Sequence, residues 1–365
     1  MLEFTYTMPT KIIAGRNCLE KNREVLRNYG KTCLIVTGFR SSKLNGSLED
    51  VIDALENENI KYNIFDKVEE NPSLETVEAA YLENKDKNID FIFAVGGGSA
   101  IDAAKAMAIL FRHHITGEEM LSLKNLKGIP LLALPTTAGT GSETTPYSIL
   151  TLHDEKQKRN IGQKIFPEIA FLDARYTLNM PYSITTSTAV DAFTHLAEGY
   201  LNTKANLLSD TLAEKGLQVF GECLKSLVKK DCSLEVREKL LLASTMAGMV
   251  ISQTGTSLPH GMGYPLTYEK GVPHGTANGI LYPGYLSIFK DRTKLNRLLE
   301  LIDVSSIDEL SKIFHQILEF EVILTDKEIK TYVDGILSNE KKLKNHPEKV
   351  TREELTMIYK TMITK

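Results

Sequence analysis

The chain predicts an α/β domain built on a parallel sheet, followed by an all-helical domain. Three observations carry this. Strand-like and helix-like segments alternate through the first half. Two loops rich in glycine and small residues leave the ends of strand-like runs. After about Pro181 the strand-like runs vanish, and long stretches rich in Ala, Leu, Glu and Lys take over. The predicted domains are residues 1–180 and 181–365, with the break at Asn-Met-Pro-Tyr-Ser.

The elements follow in order. Residues 32–37 form a short apolar run and the first strand. A helix over 47–58 places Leu48, Val51, Ile52 and Leu55 on one face. A second strand is expected at 61–65, and a helix at 73–83 with Ser73 as its N-cap. Residues 90–95 make a third strand, continuously apolar from Phe91 to Val95 as strands covered on both faces are, and 129–134 make a fourth. In the second half, 207–227 and 234–252 read as helices. From Thr325 the chain is charged and helical, with a solvated face expected.

The 365 residues carry 43 basic and 47 acidic side chains, a net charge of −4. That balance gives no footprint for nucleic acid. The start lacks a basic segment followed by an apolar core, and no apolar run reaches membrane-spanning length. Cys18, Cys33, Cys223 and Cys232 show no CxxC spacing and read as thiols of a reducing cytoplasm.

The third strand runs into Gly96-Gly97-Gly98-Ser99 and then a helix. Glycines admit a ligand close to the backbone, and free N–H groups at a helix start attract phosphate. Ser99 can add a hydroxyl and cap the helix; Asp102, in the first turn, can cap it or reach a ligand. A second loop, Pro135-Thr136-Thr137-Ala138-Gly139-Thr140-Gly141-Ser142-Glu143, leaves the carboxyl end of the fourth strand, where open α/β sheets bind ligands.

Far downstream, Asp191 and His195 are four residues apart and share a helix face. His260 and His274 occur in Leu-Pro-His-Gly and Val-Pro-His-Gly. One carboxylate and three imidazoles suit a divalent first-row metal such as iron or zinc, which acts as a Lewis acid on a substrate oxygen. The other histidines are His113 and His114 at a helix end, His153, and His315 and His346 in charged helical stretches. Phosphate loops and a Lewis acid in one chain point to a dinucleotide beside a metal-held substrate.

With Met8-Pro9-Thr10-Lys11, Gly96 to Asp102, Pro135 to Glu143 and Asp191-Ala192-Phe193-Thr194-His195 in this order, the chain resembles the iron-containing, or group III, alcohol dehydrogenases over nearly its whole length. Within them it looks most like NADP-dependent butanol and 1,3-propanediol dehydrogenases. The resemblance implies a Rossmann-like dinucleotide-binding domain, a helical domain, and an active site in the cleft between them (the fold shared with dehydroquinate synthases). It implies a metal, usually Fe(II) with Zn(II) as the alternative, on Asp191, His195, His260 and His274. Gly97, Gly98 and Ser99 would hold the pyrophosphate, with Asp102 close by. Thr136, Thr137 and Thr140 would line the dinucleotide site, and Asn71 and Lys158 match further cofactor positions. It also implies at least a dimer.

Where relatives that prefer NAD carry an Asp after the first strand, this chain has Gly38, then Arg40, Ser41, Ser42 and Lys43. A glycine leaves room, and the following donors suit a 2′-phosphate, so NADP(H) is expected over NAD(H). Some relatives have a histidine relay four residues after the third ligand; Tyr264 stands there, and a phenol near pKa ~10 is a poor base at neutral pH. Tyr264 then packs, faces substrate or passes a proton through its hydroxyl, and solvent supplies the proton. The expected reaction is reversible reduction of a short aldehyde to a primary alcohol. The alternative is a lyase of the dehydroquinate-synthase type, which needs basic groups for a phosphorylated substrate. Residues 255–267 contain no Lys or Arg, though Lys270 follows.

Overall fold

The computed structural model describes residues 3–155 and 157–362; Met1 and Leu2, part of the opening segment read above, lie outside them. The chain forms two compact units. One comprises Met8–Thr137 and Ser142–Asn179. The other takes the segment up to Thr7, Ala138–Gly141 and the chain from Met180 onward.

The first unit contains strands β1 (Lys11–Ala14), β2 (Thr32–Gly38), β3 (Lys61–Val68), β4 (Phe91–Gly96), β5 (Leu131–Pro135), β6 (Ile149–Leu152), β7 (Gln157–Asn160) and β8 (Ile169–Leu172). Its helices are α1 (Cys18–Lys21), α2 (Ser41–Leu44), α3 (Ser47–Asn57), α4 (Leu74–Asn84), α5 (Gly98–His113) and α6 (Gly117–Ser122). Six strands form one parallel sheet in the order β1-β8-β5-β4-β2-β3, and β6 pairs with β7 as a hairpin. Alternation along β4 explains its unbroken apolar run. Phe91, Phe93 and Val95 enter one core with Leu48, Val51 and Leu55 of α3; Ile92 and Ala94 enter the other with α5. The order reverses between β2 and β4, so their carboxyl ends flank the crevice where such sheets bind ligands.

All four expected strands are present. The structure adds β1 and β8 on one side of the sheet and the β6–β7 hairpin. Ser73 caps α4 as expected, accepting from Thr76 N–H at 3.2 Å.

The second unit is helical: α7 (Tyr182–Tyr200), α8 (Leu207–Val228), α9 (Leu234–Thr254), α10 (Leu258–Lys270), α11 (His274–Ser287), α12 (Thr293–Leu301), α13 (Ile307–Ile317), α14 (Asp326–Leu337), α15 (Glu340–Asn345) and α16 (Arg352–Lys360). From Ala189 to Tyr200, α7 is buried at every position, as a central helix must be. The charged C-terminal stretch departs from the solvated face expected of it. Ile329, Tyr332, Val333 and Ile336 of α14 and Leu355, Ile358 and Tyr359 of α16 are buried. Among the described residues no helix is long and apolar enough to cross a membrane. All four cysteines are unpaired.

His346 also departs from its charged surroundings. It follows α15, buried, with its ring edge-on to Tyr285 and Phe289 at 5.5 and 4.7 Å. Burial pushes its pKa down to about 4 from 6.5, so the folded state holds it neutral. A base depressed on folding contributes stability above its unfolded pKa and loses it as pH falls toward the folded value. His346→Gln should therefore remove about one proton from the pH-dependence of unfolding between pH 6.5 and 4, a span worth on the order of 3 kcal/mol. Urea midpoints of both proteins across that range test it; parallel curves would refute the assignment.

Candidate functional site

Helices α7, α10 and α11 supply four side chains to one place. Asp191 and His195 lie one turn apart on α7, His260 is in the first turn of α10, and His274 opens α11 behind Pro273. Asp191 Oδ1 is 3.6 Å from His260 Nε2 and 3.8 Å from His274 Nε2, and Oδ2 is 3.9 Å from His195 Nδ1. Ligating atoms of Asp191, His195 and His260 all lie within 4.8 Å of one another. These separations are too long for hydrogen bonds. They approach the edge of about 3.4 Å between tetrahedral ligands about 2.1 Å from a cation. His195 Nδ1 and His260 Nε2 are buried without a hydrogen-bond partner, which a packed interior tolerates only where something else satisfies them.

The contacts around the cluster are specific. The His195 and His260 rings stack at 4.3 Å, and Tyr264 stacks on His274 at 5.7 Å. Asn278, one turn after His274, donates to Asp191 Oδ1 at 3.2 Å. Asp191, His195 and His260 are buried, whereas the His274 side chain is 27% exposed and forms the accessible edge. Burial favours the neutral Asp191 carboxyl, but the imidazoles of His195 and His274 outweigh it and hold the group well below the usual carboxylate range. Burial pushes His195 down to about 4 against the pull of Asp191. Burial also works against charge on His260, yet Glu198 and Asp191 raise it to about 8. The resulting carboxylate and neutral His195 are the states that metal ligation requires.

Part of the predicted dinucleotide set lies at or just beyond the carboxyl ends of β2, β4 and β5, whereas Lys158 is on the β7 hairpin strand and Asn71 follows β3. Gly38, Gly96 and Pro135 close β2, β4 and β5. Gly97 N-caps α5, and a Cβ there would meet Thr137 Oγ1 at 3.0 Å. Asn71, in the left-handed region at φ 58°, donates its N–H to Ser99 Oγ at 3.2 Å, and Lys158 Nζ donates to Asn71 Oδ1. Thr136 Oγ1 is buried without a partner. Thr140 falls with the helical unit. Arg40 and Ser41 are exposed at the start of α2.

Two family models match the chain. One is the iron-containing alcohol dehydrogenase, over residues 9–174; the other is the Fe-containing alcohol dehydrogenase family, C-terminal, over 185–363. The chain belongs to the iron-containing alcohol dehydrogenase family. It is 33% identical over 277 residues to a lactaldehyde reductase of Escherichia coli, covering 74% of this chain and 71% of that one. An NADPH-dependent butanol dehydrogenase of Clostridium saccharobutylicum is 32% identical over 305 residues, 81% of this chain and 76% of its own length. The iron-containing alcohol dehydrogenase of Thermotoga maritima has a solved structure with 40% identity, a TM-score of 0.90 and 99% coverage of both chains. The family implies a metal and a nicotinamide cofactor. The unpartnered ring nitrogens and buried carboxylate of this chain fit such a metal.

Several expectations need correction. Ser42 is fully buried and its hydroxyl accepts from Thr37 Oγ1 at 2.7 Å, so it is withdrawn from the surface that Arg40 and Ser41 share. Lys43 is paired with Asp66 at 2.5 Å. Ser99 does not cap α5; its hydroxyl serves Asn71. Asp102 neither caps nor is uncommitted: Oδ1 accepts from Ser142 Oγ at 2.5 Å and Oδ2 from Ile149 N–H at 2.9 Å. It ties α5 to the following segment. The sequence marks Glu198 and Asn278 only by helical spacing from predicted ligands: Glu198 three residues after His195, Asn278 four after His274.

The cluster depends on close helix contact at Gly275. A Cβ there would lie 1.9 Å from the Ser187 carbonyl oxygen and 2.8 Å from Asp191 Cβ. Gly275→Ala must push α11 from α7 and is expected to cost about 2 kcal/mol or more. Lower thermal stability together with loss of bound divalent metal, by elemental analysis, is the expected result; normal values of both would refute it.

Proposed function

We propose that the protein reversibly reduces short aldehydes to primary alcohols, such as butanol or 1,3-propanediol, with NADP(H). The observation that carries this reading is the cluster of Asp191 with three imidazoles, in which the buried His195 Nδ1 and His260 Nε2 lack hydrogen-bond partners. Asp191, His195, His260 and His274 would hold Fe(II), with Zn(II) as the alternative that the same donors suit. When bound, the cation supplies a Lewis acid for the carbonyl oxygen and the reduced nicotinamide supplies the hydride.

The chain's own residues orient these groups. The Gly97–Gly98 turn, Ser99, Asn71, Thr136, Thr137, Thr140 and Lys158 are the proposed dinucleotide contacts. The preference for NADP(H) rests on Gly38, which puts no carboxylate at the end of β2, and on the exposed Arg40 and Ser41 beyond it. Gly38 also has a structural reason to be small: a Cβ would meet the Val68 carbonyl oxygen at 3.2 Å, beside a register shift between β2 and β3. Near the ligands, Lys270 is paired with Glu328 at 2.5 Å, and Lys342 Nζ donates to Thr256 Oγ1. Both cations are committed, which favours a neutral substrate over a phosphorylated one.

Anaerobic turnover of butyraldehyde and 3-hydroxypropanal, with enzyme loaded with Fe(II) or Zn(II), tests the proposal. Metal-dependent oxidation of NADPH with a kcat/KM about tenfold or more above that for NADH is expected, a difference near 1.4 kcal/mol. A higher value with NADH would overturn the cofactor assignment, and no turnover with any pairing would overturn the reaction.

Tyr264 is proposed to pack on His274 rather than to relay protons. Tyr264→Phe keeps the ring and should leave kcat within about threefold and its pH profile unchanged. Loss of a basic limb in that profile would restore the hydroxyl as a relay.

A further inference from the structure

We infer that Glu198 is a positioning residue that holds the His260 ring with Nε2 turned toward the metal, an assignment that rests on reading Asp191, His195, His260 and His274 as ligands. Asp191, His195 and Glu198 are spaced i, i+4 and i+7 along α7, so successive turns present them on one face. The Glu198 side chain is fully buried. Its Oε1 lies 2.5 Å from His260 Nδ1, and its Oε2 accepts from Ser257 N–H at 2.5 Å. Both are charge-assisted bonds, the stronger kind.

The chain entering α10 is fixed from several sides. Asn345 Nδ2 donates to the Thr256 carbonyl at 2.8 Å, and Asn202 Nδ2 to that of Gly255 at 3.4 Å. Lys342, on α15, donates to Thr256 Oγ1, and its ammonium is within electrostatic range of Glu198. That charge helps offset burial of the carboxylate. With Nδ1 bound to Glu198, the ring cannot turn over without abandoning a buried anion. Nε2 is left 3.6 Å from Asp191 Oδ1 with no partner of its own. A carboxylate behind a ligating imidazole fixes its tautomer and raises its basicity, and its removal elsewhere weakens metal binding about 10–100-fold.

Co(II) is the probe. Apoprotein, Glu198→Gln and His260→Ala are titrated in competition with a chelator, and the visible Co(II) bands are recorded. Glu198→Gln preserves volume and is expected to weaken Co(II) binding about 10–100-fold and to shift the bands. Wild-type affinity and bands in Glu198→Gln, alongside weakened binding in His260→Ala, would overturn the role of Glu198 alone. Wild-type binding in His260→Ala would overturn the ligand assignment beneath it. A measurement on the unaltered protein guards against a variant that fails to fold. In 15N-histidine-labelled, Zn(II)-loaded enzyme, His260 should carry its proton on Nδ1; a proton on Nε2 refutes the inference.

Discussion

The helical unit depends on one buried anion. Asp191 sits mid-helix on α7 with 2% exposure, where an unpaired carboxylate would cost several kcal/mol. Three imidazoles and the Asn278 amide converge on it from α7, α10 and α11, and their pull exceeds the penalty of burial. That convergence sets the packing. Helix α11 must approach α7 closely enough that Gly275 leaves no space for a methyl group. On α10, Gly263 similarly makes room for Asn278, whose Oδ1 would lie 2.3 Å from an added Cβ. On the opposite face of α7, Phe193 packs against Phe220, Tyr282 and Phe314, which holds the helix in the core of the unit.

In the sheet unit the comparable constraint is Lys105. It is fully buried, and its ammonium donates to Ser142 Oγ at 2.7 Å, Thr145 Oγ1 at 3.2 Å and the Tyr147 carbonyl at 2.6 Å, with Asp102 at 3.5 Å. Burial lowers its pKa against the attraction of Asp102. The pair locks helix α5 to the segment after β5. The turn that opens α5 is thereby anchored about one turn after Gly98 by Asp102 and about two turns after it by Lys105, and the backbone N–H groups at the helix start keep a fixed direction.

What the sequence made legible follows from the range of the forces involved. Continuous apolar strands such as β4 announce themselves because both faces are covered. By contrast, β1 and β8 are four residues each, and β7 reads Gln-Lys-Arg-Asn, so neither length nor polarity marks them. Asp191 and His195 were visible because their partnership is local. Glu198 and Asn278 stand at the same spacings, but a polar residue on a helix face is usually solvated, and only tertiary contact shows what they serve. Ser42 illustrates the opposite error: a serine at a helix start invites a ligand, yet it bonds to Thr37 of the adjoining strand. His346 is concealed by charged neighbours in sequence and is surrounded by aromatic ones in space.

Access to the cluster is unequal, and the inequality bears on substrate. Asp191, His195 and His260 are enclosed, while His274 keeps 27% of its side chain exposed beneath the Tyr264 ring. A molecule reaching the ring nitrogens from this side therefore passes an imidazole edge and a phenol rather than an ion. Lys270, which closes α10, is bound to Glu328, and Lys342 of α15 to Thr256. A phosphate arriving here would compete with Glu328 for Lys270 and with Thr256 for Lys342, whose bond holds the segment before His260. The proposed carbonyl substrate makes neither demand, because its oxygen needs only the electrophile that the four proposed ligands would hold.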